Sequence, residues 1–373
     1  MSRHSPEQVH SLLSEILDSA RIQATLRLRF SGCRIVVHAD DPQIIAKLRR
    51  YYSEFQDSVH TENMQDRDPD ILITALEGPP LEFDAPWTVK QPDPGKSRIK
   101  EEYLDQGEVR IVLKRLTGML FLFDQRRHAA FGPCLANENQ VINFINSRFI
   151  QWMLDRNSLL CHAAGVAKHG KGLALAGFSG MGKSTLALHM MSRGLDFVSN
   201  DRLLIHRKDD KIMMHGVAKL PRVNPGTILG NPSLSGMLDE AQKDAYAGMA
   251  PEELWALEQK HDVYLDECFG PGKNLSSSNL NGLVILNWSP KYPRISLELV
   301  DLAQRPDLLD TVVKSPGVFF LPRPGCTYRF KPEAYLRMFE DCAVFEARGG
   351  VDFDHVAKAC IHYLDQQERT CSA

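Results

Sequence analysis

Residues 172–207 run GLALAGFSGMGKSTLALHMMSRGLDFVSNDRLLIHR, and their pattern decides the fold class. Within them Gly177-Phe178-Ser179-Gly180-Met181-Gly182-Lys183-Ser184 matches G-x-x-x-x-G-K-[ST] at every position. The flanks are those the motif needs. Leu173-Ala174-Leu175-Ala176 is a short apolar run that reads as a buried strand. After the motif Leu186, Ala187 and Met190 recur at helical spacing, and Gly194 stands where a helix end takes a left-handed residue. Gly177, Gly180 and Gly182 let successive backbone N–H groups turn inward around a phosphate, at the positive end of the helix dipole. Lys183 adds a mobile charge for the β- and γ-phosphates, and Ser184 a hydroxyl for Mg2+. The candidate ATP-binding set is therefore Gly177, Ser179, Gly180, Met181, Gly182, Lys183, Ser184 and Thr185.

The following segment, Leu195-Asp196-Phe197-Val198-Ser199, predicts a short strand ending in Asn200-Asp201-Arg202. An acid at the carboxyl end of a strand next to the phosphate loop faces the crevice where open α/β sheets bind ligands. Asp201 is thus a candidate ligand of Mg2+ or acceptor of a proton from an attacking hydroxyl. Upstream, Leu159 to Ala167 reads as one strand carrying His162, before a turn at Lys168–Gly172. A lone histidine on an apolar strand serves as a hydrogen-bonded core group or as a site residue, and spacing does not decide between them.

From Cys161 to about Gly216 the chain resembles the kinase domain of the HPr kinase/phosphorylase family, and most closely the HPr-kinase-related proteins of bacteria (kinase B type). The shared features are His162 before the loop, Gly177 through Ser184, Arg193-Gly194 after the helix, and Asn200-Asp201 at the next strand end. A fainter likeness runs through Lys219-Leu220-Pro221-Arg222 and Lys260. The resemblance implies catalytic roles for Asp201, His162 and Lys183, with Ser184 and Asp201 at the metal. The family usually carries Asp-Asp where this chain has Asn200-Asp201, so one of two carboxylates serving proton transfer and metal binding is missing.

A chain of 373 residues with 43% hydrophobic content has room for two domains with real cores. Its formal net charge of −3 argues against a nucleic-acid or membrane-surface partner. No apolar run approaches membrane-spanning length, and the opening residues lack a signal-peptide type of segment. The eight cysteines show no C-x-x-C and no regular spacing, which fits free thiols in a cytoplasmic protein better than a disulfide or zinc framework.

Ser5-Pro6-Glu7-Gln8 has the pattern of a capped helix start, followed by an apolar stripe of Val9, Leu12, Leu13, Ile16 and Leu17. Two alternating strands, Leu26–Phe30 and Arg34–His38, precede a second helix beginning at Asp41-Pro42. Further strands follow at Asp70–Ile73, Arg110–Leu113 and Met119–Phe123, with a proline-rich loop between Gly78 and Lys96. A long helix starts near Asn137. Beyond the motif come a hairpin (Leu203–Arg207 with Ile212–Gly216), a polar stretch Gly230–Gly248, a helix Glu252–Lys260, a buried strand Leu283–Leu286, and closing helices Glu333–Cys342 and Asp352–Gln366. The Leu283 strand ends in Asn287-Trp288 rather than an acid, and is expected only to complete the sheet. The expected fold is α/β. Residues 1–136 form a small α+β N-terminal domain without a catalytic constellation, and 137–373 a P-loop kinase domain of HPr-kinase/PEP-carboxykinase-like type.

Three functions fit. The first is a kinase moving the γ-phosphoryl group of ATP to a hydroxyl, such as a serine of a partner protein. The second is a small-molecule P-loop kinase, because gluconate- and adenylylsulfate-type kinases share such a loop. The third is an ATP-binding regulatory module without turnover, which Asn200 keeps open. The acceptor and the oligomeric state, homo-oligomers included, are not legible.

Overall fold

A computed structural model of the chain describes residues 4–57, 68–92, 97–250, 253–254, 257 and 259–371. It is a mixed α/β structure with two large sheets, in two compact units: Met1–Arg156 with Pro316–Tyr328, and Asn157–Ser315 with Arg329–Ala373. The long helix Glu138–Leu154 groups with the first unit, whereas the boundary at 136/137 expected from sequence assigned it to the second.

In the first unit eight strands form one mixed sheet. Cys33–Ala39, Ile71–Glu77 and His128–Gly132 run parallel at its centre, and an antiparallel run through Met119–Phe123, Val109–Lys114 and Glu101–Gln106 continues it. Helix Pro6–Ser19 starts as its sequence dictates: Ser5 Oγ accepts from the Gln8 amide while Gln8 caps the Ser5 amide. It buries Val9 and Leu13 against Leu104, Ile111 and Leu120, but leaves Leu12 and Ile16 exposed, so the apolar stripe is narrower than its sequence suggested. The segment Pro316–Tyr328 is held in this unit by Arg110, which donates to the carbonyls of Val318 and Phe320, and by Arg148, which donates to that of Phe319.

The second unit is built on a nine-stranded sheet. Its central strand, Ser277–Trp288, lies parallel to both Lys171–Gly177 and Ala343–Gly349. Residues such as Leu283, Val284, Ile285 and Leu286 are wholly buried, because helices cover both faces. Helices Lys183–Met191 and Phe353–Cys371 pack on one face; Pro332–Phe339 and the short helix Pro306–Thr311 pack on the other. Two sequence expectations change here, at Leu159–Ala167 and at the strand before Asn200. The stretch Leu159–Ala167 is two strands, Leu159–Cys161 and Ala163–Lys168, broken at His162. Asp196–Ser199 pairs with Ala163–Lys168 and not with the loop strand. Gly230–Gly248 is ordered into Pro232–Met237 and a capped helix Glu240–Ala247. The helix expected over Glu252–Lys260 lies partly outside the described residues. No helix among the described residues is long and apolar enough to cross a membrane.

Candidate functional site

Two strands deliver the two halves of the site to one edge of the sheet. Ala163–Lys168 runs antiparallel to Lys171–Gly177 and to Asp196–Ser199, so the latter two run the same way and end together. Gly177 closes the first, in register with Leu286, and Asn200-Asp201 follow the second. Between strand and helix, Gly180 and Gly182 both adopt φ +87°, a conformation side chains with a Cβ resist. Gly182 caps helix Lys183–Met191 with no side-chain hydrogen bond, which leaves the first-turn amides to the loop's concavity. Met181 turns away into the apolar core, and its carbonyl accepts from the Trp288 indole at 2.9 Å. The Leu283 strand therefore does more than complete the sheet, since its last residue braces the loop.

Lys183 is buried, and its Nζ donates to the carbonyls of Gly177 (2.6 Å) and Phe178 (3.1 Å). Burial, aided by the cations Lys314 and Lys260 and opposed by Asp201, lowers its pKa to about 8. Ser184 Oγ donates to Asn200 Oδ1 at 2.6 Å, so its lone pairs remain for another partner. Thr185 and Thr227 join hydroxyls at 2.8 Å.

Asp201 faces this wall. Its Oδ1 is enclosed with no hydrogen-bond partner, and the Lys219 ammonium lies 4.0 Å away. Burial would raise its pKa, but Lys219, Arg202 and Lys314 together hold it below the ordinary carboxylate value. His162 sits at the break where the chain leaves one sheet position for another, and its amide donates to the Val312 carbonyl at 2.7 Å. Burial, with Lys183 and Lys314 nearby, takes its pKa down to about 4, so the ring is neutral at pH 7. One cleft of about 270 Å3 brings together His162, Ser179, Gly180, Gly182, Lys183, Ser184, Thr185 and Asp201. Gly177 and Met181 support it from behind. Lys219, Arg222 and Lys260 line it too, with Arg222 paired to Asp262 at 2.9 Å.

Asn224, Thr227, Lys314 and Trp288 were missed from sequence. They stand in segments without a motif, and only the chain's return to the loop brings them in.

The chemistry of these groups suits a magnesium nucleotide. The enclosed, unpartnered Asp201 oxygen and the free lone pairs of Ser184 are the donors such a cation takes, with phosphates completing its shell. No cluster of three or more His, Cys, Asp or Glu that could hold a metal by protein ligands alone occurs among the described residues.

No protein-family model matches the chain. Over 54 residues the chain is 39% identical to the HPr kinase/phosphorylase of Pelodictyon phaeoclathratiforme (strain DSM 5477 / BU-1), a stretch equal to 14% of this chain. The match spans 16% of that curated relative's length. Among solved structures, the chain is similar to the Hpr(Ser) kinase/phosphatase from Coxiella burnetii at 12% identity and a TM-score of 0.27. That likeness covers 57% of this chain and 92% of the other. The sequence similarity to an HPr kinase rests on the 54-residue stretch.

Proposed function

We propose that this protein is an ATP-dependent kinase that moves the γ-phosphoryl group to a hydroxyl, a serine of a partner protein being the favoured acceptor. The observation that carries this is one cleft holding a left-handed glycine loop at a helix N-terminus, Lys183, Ser184 and the enclosed carboxylate of Asp201. Loop amides and Lys183 would hold the phosphates. Ser184 and Asp201 would hold Mg2+, which when bound neutralises charge on the phosphate oxygens. Asp201 is ionised at pH 7 and is the candidate acceptor of the hydroxyl proton. As that proton leaves, the acceptor oxygen bonds to the γ-phosphorus and the bond to the β,γ-bridging oxygen breaks, releasing ADP. His162, neutral, contributes a hydrogen-bonding ring to the same end of the cleft. The HPr kinase/phosphorylase similarity supports the reaction class.

The test combines binding with labelling. Lys183→Ala should weaken ATP–Mg2+ binding by about 1.5–3 kcal/mol, the size of a hydrogen bond to a charged group. γ-labelled ATP with a lysate of the source organism should mark an acceptor only when Lys183 and Asp201 are intact. Unchanged ATP affinity in Lys183→Ala, or no labelled species and no ATP hydrolysis by the wild type, would overturn the proposal.

A further inference from the structure

We infer that the nucleoside of the bound nucleotide occupies a second cavity of about 510 Å3, on the Phe353 side of the glycine loop; this rests on the nucleotide site proposed above. The two cavities meet at the loop, sharing Gly180, Gly182, Thr185, Asn224 and Thr227. Their charges are opposite in kind. The phosphate cleft is lined by Lys183, Lys219, Arg222 and Lys260. Among the described residues, the second cavity is lined by no lysine or arginine, and it carries Asp352 and Asp354. A triphosphate is therefore drawn to the cationic side. With its γ end toward Asp201, the rest of the molecule leads across the loop into the second cavity.

The walls there suit a flat, uncharged, largely apolar group. Phe353, Val351 and Leu254 line it with apolar side chains, and Gly226 and Gly230 contribute only backbone. Phe353 is held in place: it stacks on His189 (5.5 Å between rings, 10° between planes) and meets Trp288 edge-on at 5.0 Å. Of the two acids that flank it, Asp354 is paired with Arg193 and with Lys358 at 2.7 Å, and Asp352 accepts from the His355 amide at 2.9 Å. Where the two cavities meet, Asn224 Oδ1 is enclosed with no hydrogen-bond partner, an acceptor ready for a ribose hydroxyl or a base amino group. A heteroaromatic base against Phe353, with the sugar at Asn224, Thr185 and Thr227, satisfies both surfaces.

Two measurements test this. In the wild type, photolysis of bound 8-azido-ATP and peptide mapping should place the label within residues 185–189, 224–230 or 351–354 or at Leu254; a label confined elsewhere overturns the inference. Gly226→Leu should narrow the cavity, because Gly226 lines it and an added Cβ stands 3.2 Å from Leu254 Cγ, which lines it too. It should weaken ATP–Mg2+ binding about tenfold or more, the scale of one lost aromatic–base contact, while inorganic tripolyphosphate–Mg2+ binds within about twofold of the wild-type level. Equal wild-type affinity for tripolyphosphate and ATP, or an unchanged ATP affinity in Gly226→Leu, refutes the nucleoside cavity and leaves the phosphate site standing. Failure of the wild type to bind either ligand removes the phosphate site, and the inference with it.

Discussion

Gly180 and Gly182 share one backbone conformation and differ in surroundings, so alanine at each separates two energies. Both have φ +87°. A Cβ at Gly180 would meet nothing within 4 Å, whereas one at Gly182 would stand 2.6 Å from Phe353 Cζ and 2.7 Å from Cε1. Gly180→Ala should therefore cost only the left-handed conformation, about 1–2 kcal/mol. Gly182→Ala adds overpacking of about 1–3 kcal/mol. Phe353 cannot yield freely, because His189 stacks on it and Trp288 meets its edge while bracing Met181. The penalty will surface as lost stability if the loop holds its shape, or as lost affinity if the loop gives way. Denaturant unfolding and ATP–Mg2+ calorimetry on both variants measure the two shares. Adding Phe353→Ala to Gly182→Ala should recover part of the cost, since residues in contact couple. If Gly182→Ala is no more damaging than Gly180→Ala on both measures, the packing of Phe353 against the loop is wrong.

Asp201→Asn should lower phosphoryl transfer by about two or more orders of magnitude, the range for a general base, with little change in metal-free ATP affinity. A variant keeping more than about a tenth of the wild-type rate rules out that role. Asn200→Asp sets a second carboxylate beside Asp201 and raises a pKa by like-charge repulsion, so ATP hydrolysis and acceptor labelling should fall or stay level. A clear gain in both would mean that the missing acid limits this site. Stability should decline as pH drops from about 6.5 to about 4. Burial holds His162 and His215 at about 4 and His128 at about 3, below the 6.5 of the unfolded chain. The unfolded state thus takes up protons first, and the stability present above pH 6.5 is progressively lost. Melting temperatures that stay flat from pH 7 to pH 4.5 would contradict that burial.

Much of the candidate site was legible because its chemistry is local. The loop from Gly177 to Ser184 carries its own backbone demands, and the capped start at Ser5-Pro6 and the hairpin Leu203–Gly216 likewise follow from near neighbours. Asp201 was legible as an acid at a strand end. Its neighbours in the sheet were not, since pairing is chosen by packing among several apolar runs of similar appearance. Hence Ala163–Lys168 came between the two functional strands, and the continuous look of Leu159–Ala167 hid a break at His162. The sequence by itself determined the glycine loop, its lysine and serine, and the single acid beside Asn200. Only the tertiary structure decided which distant groups close around them: Trp288 on the Met181 carbonyl, Phe353 against Gly182, Thr227 on Thr185, and Lys219 near Asp201. Those contacts depend on burying surfaces far apart in the chain, and no local spacing records such distances.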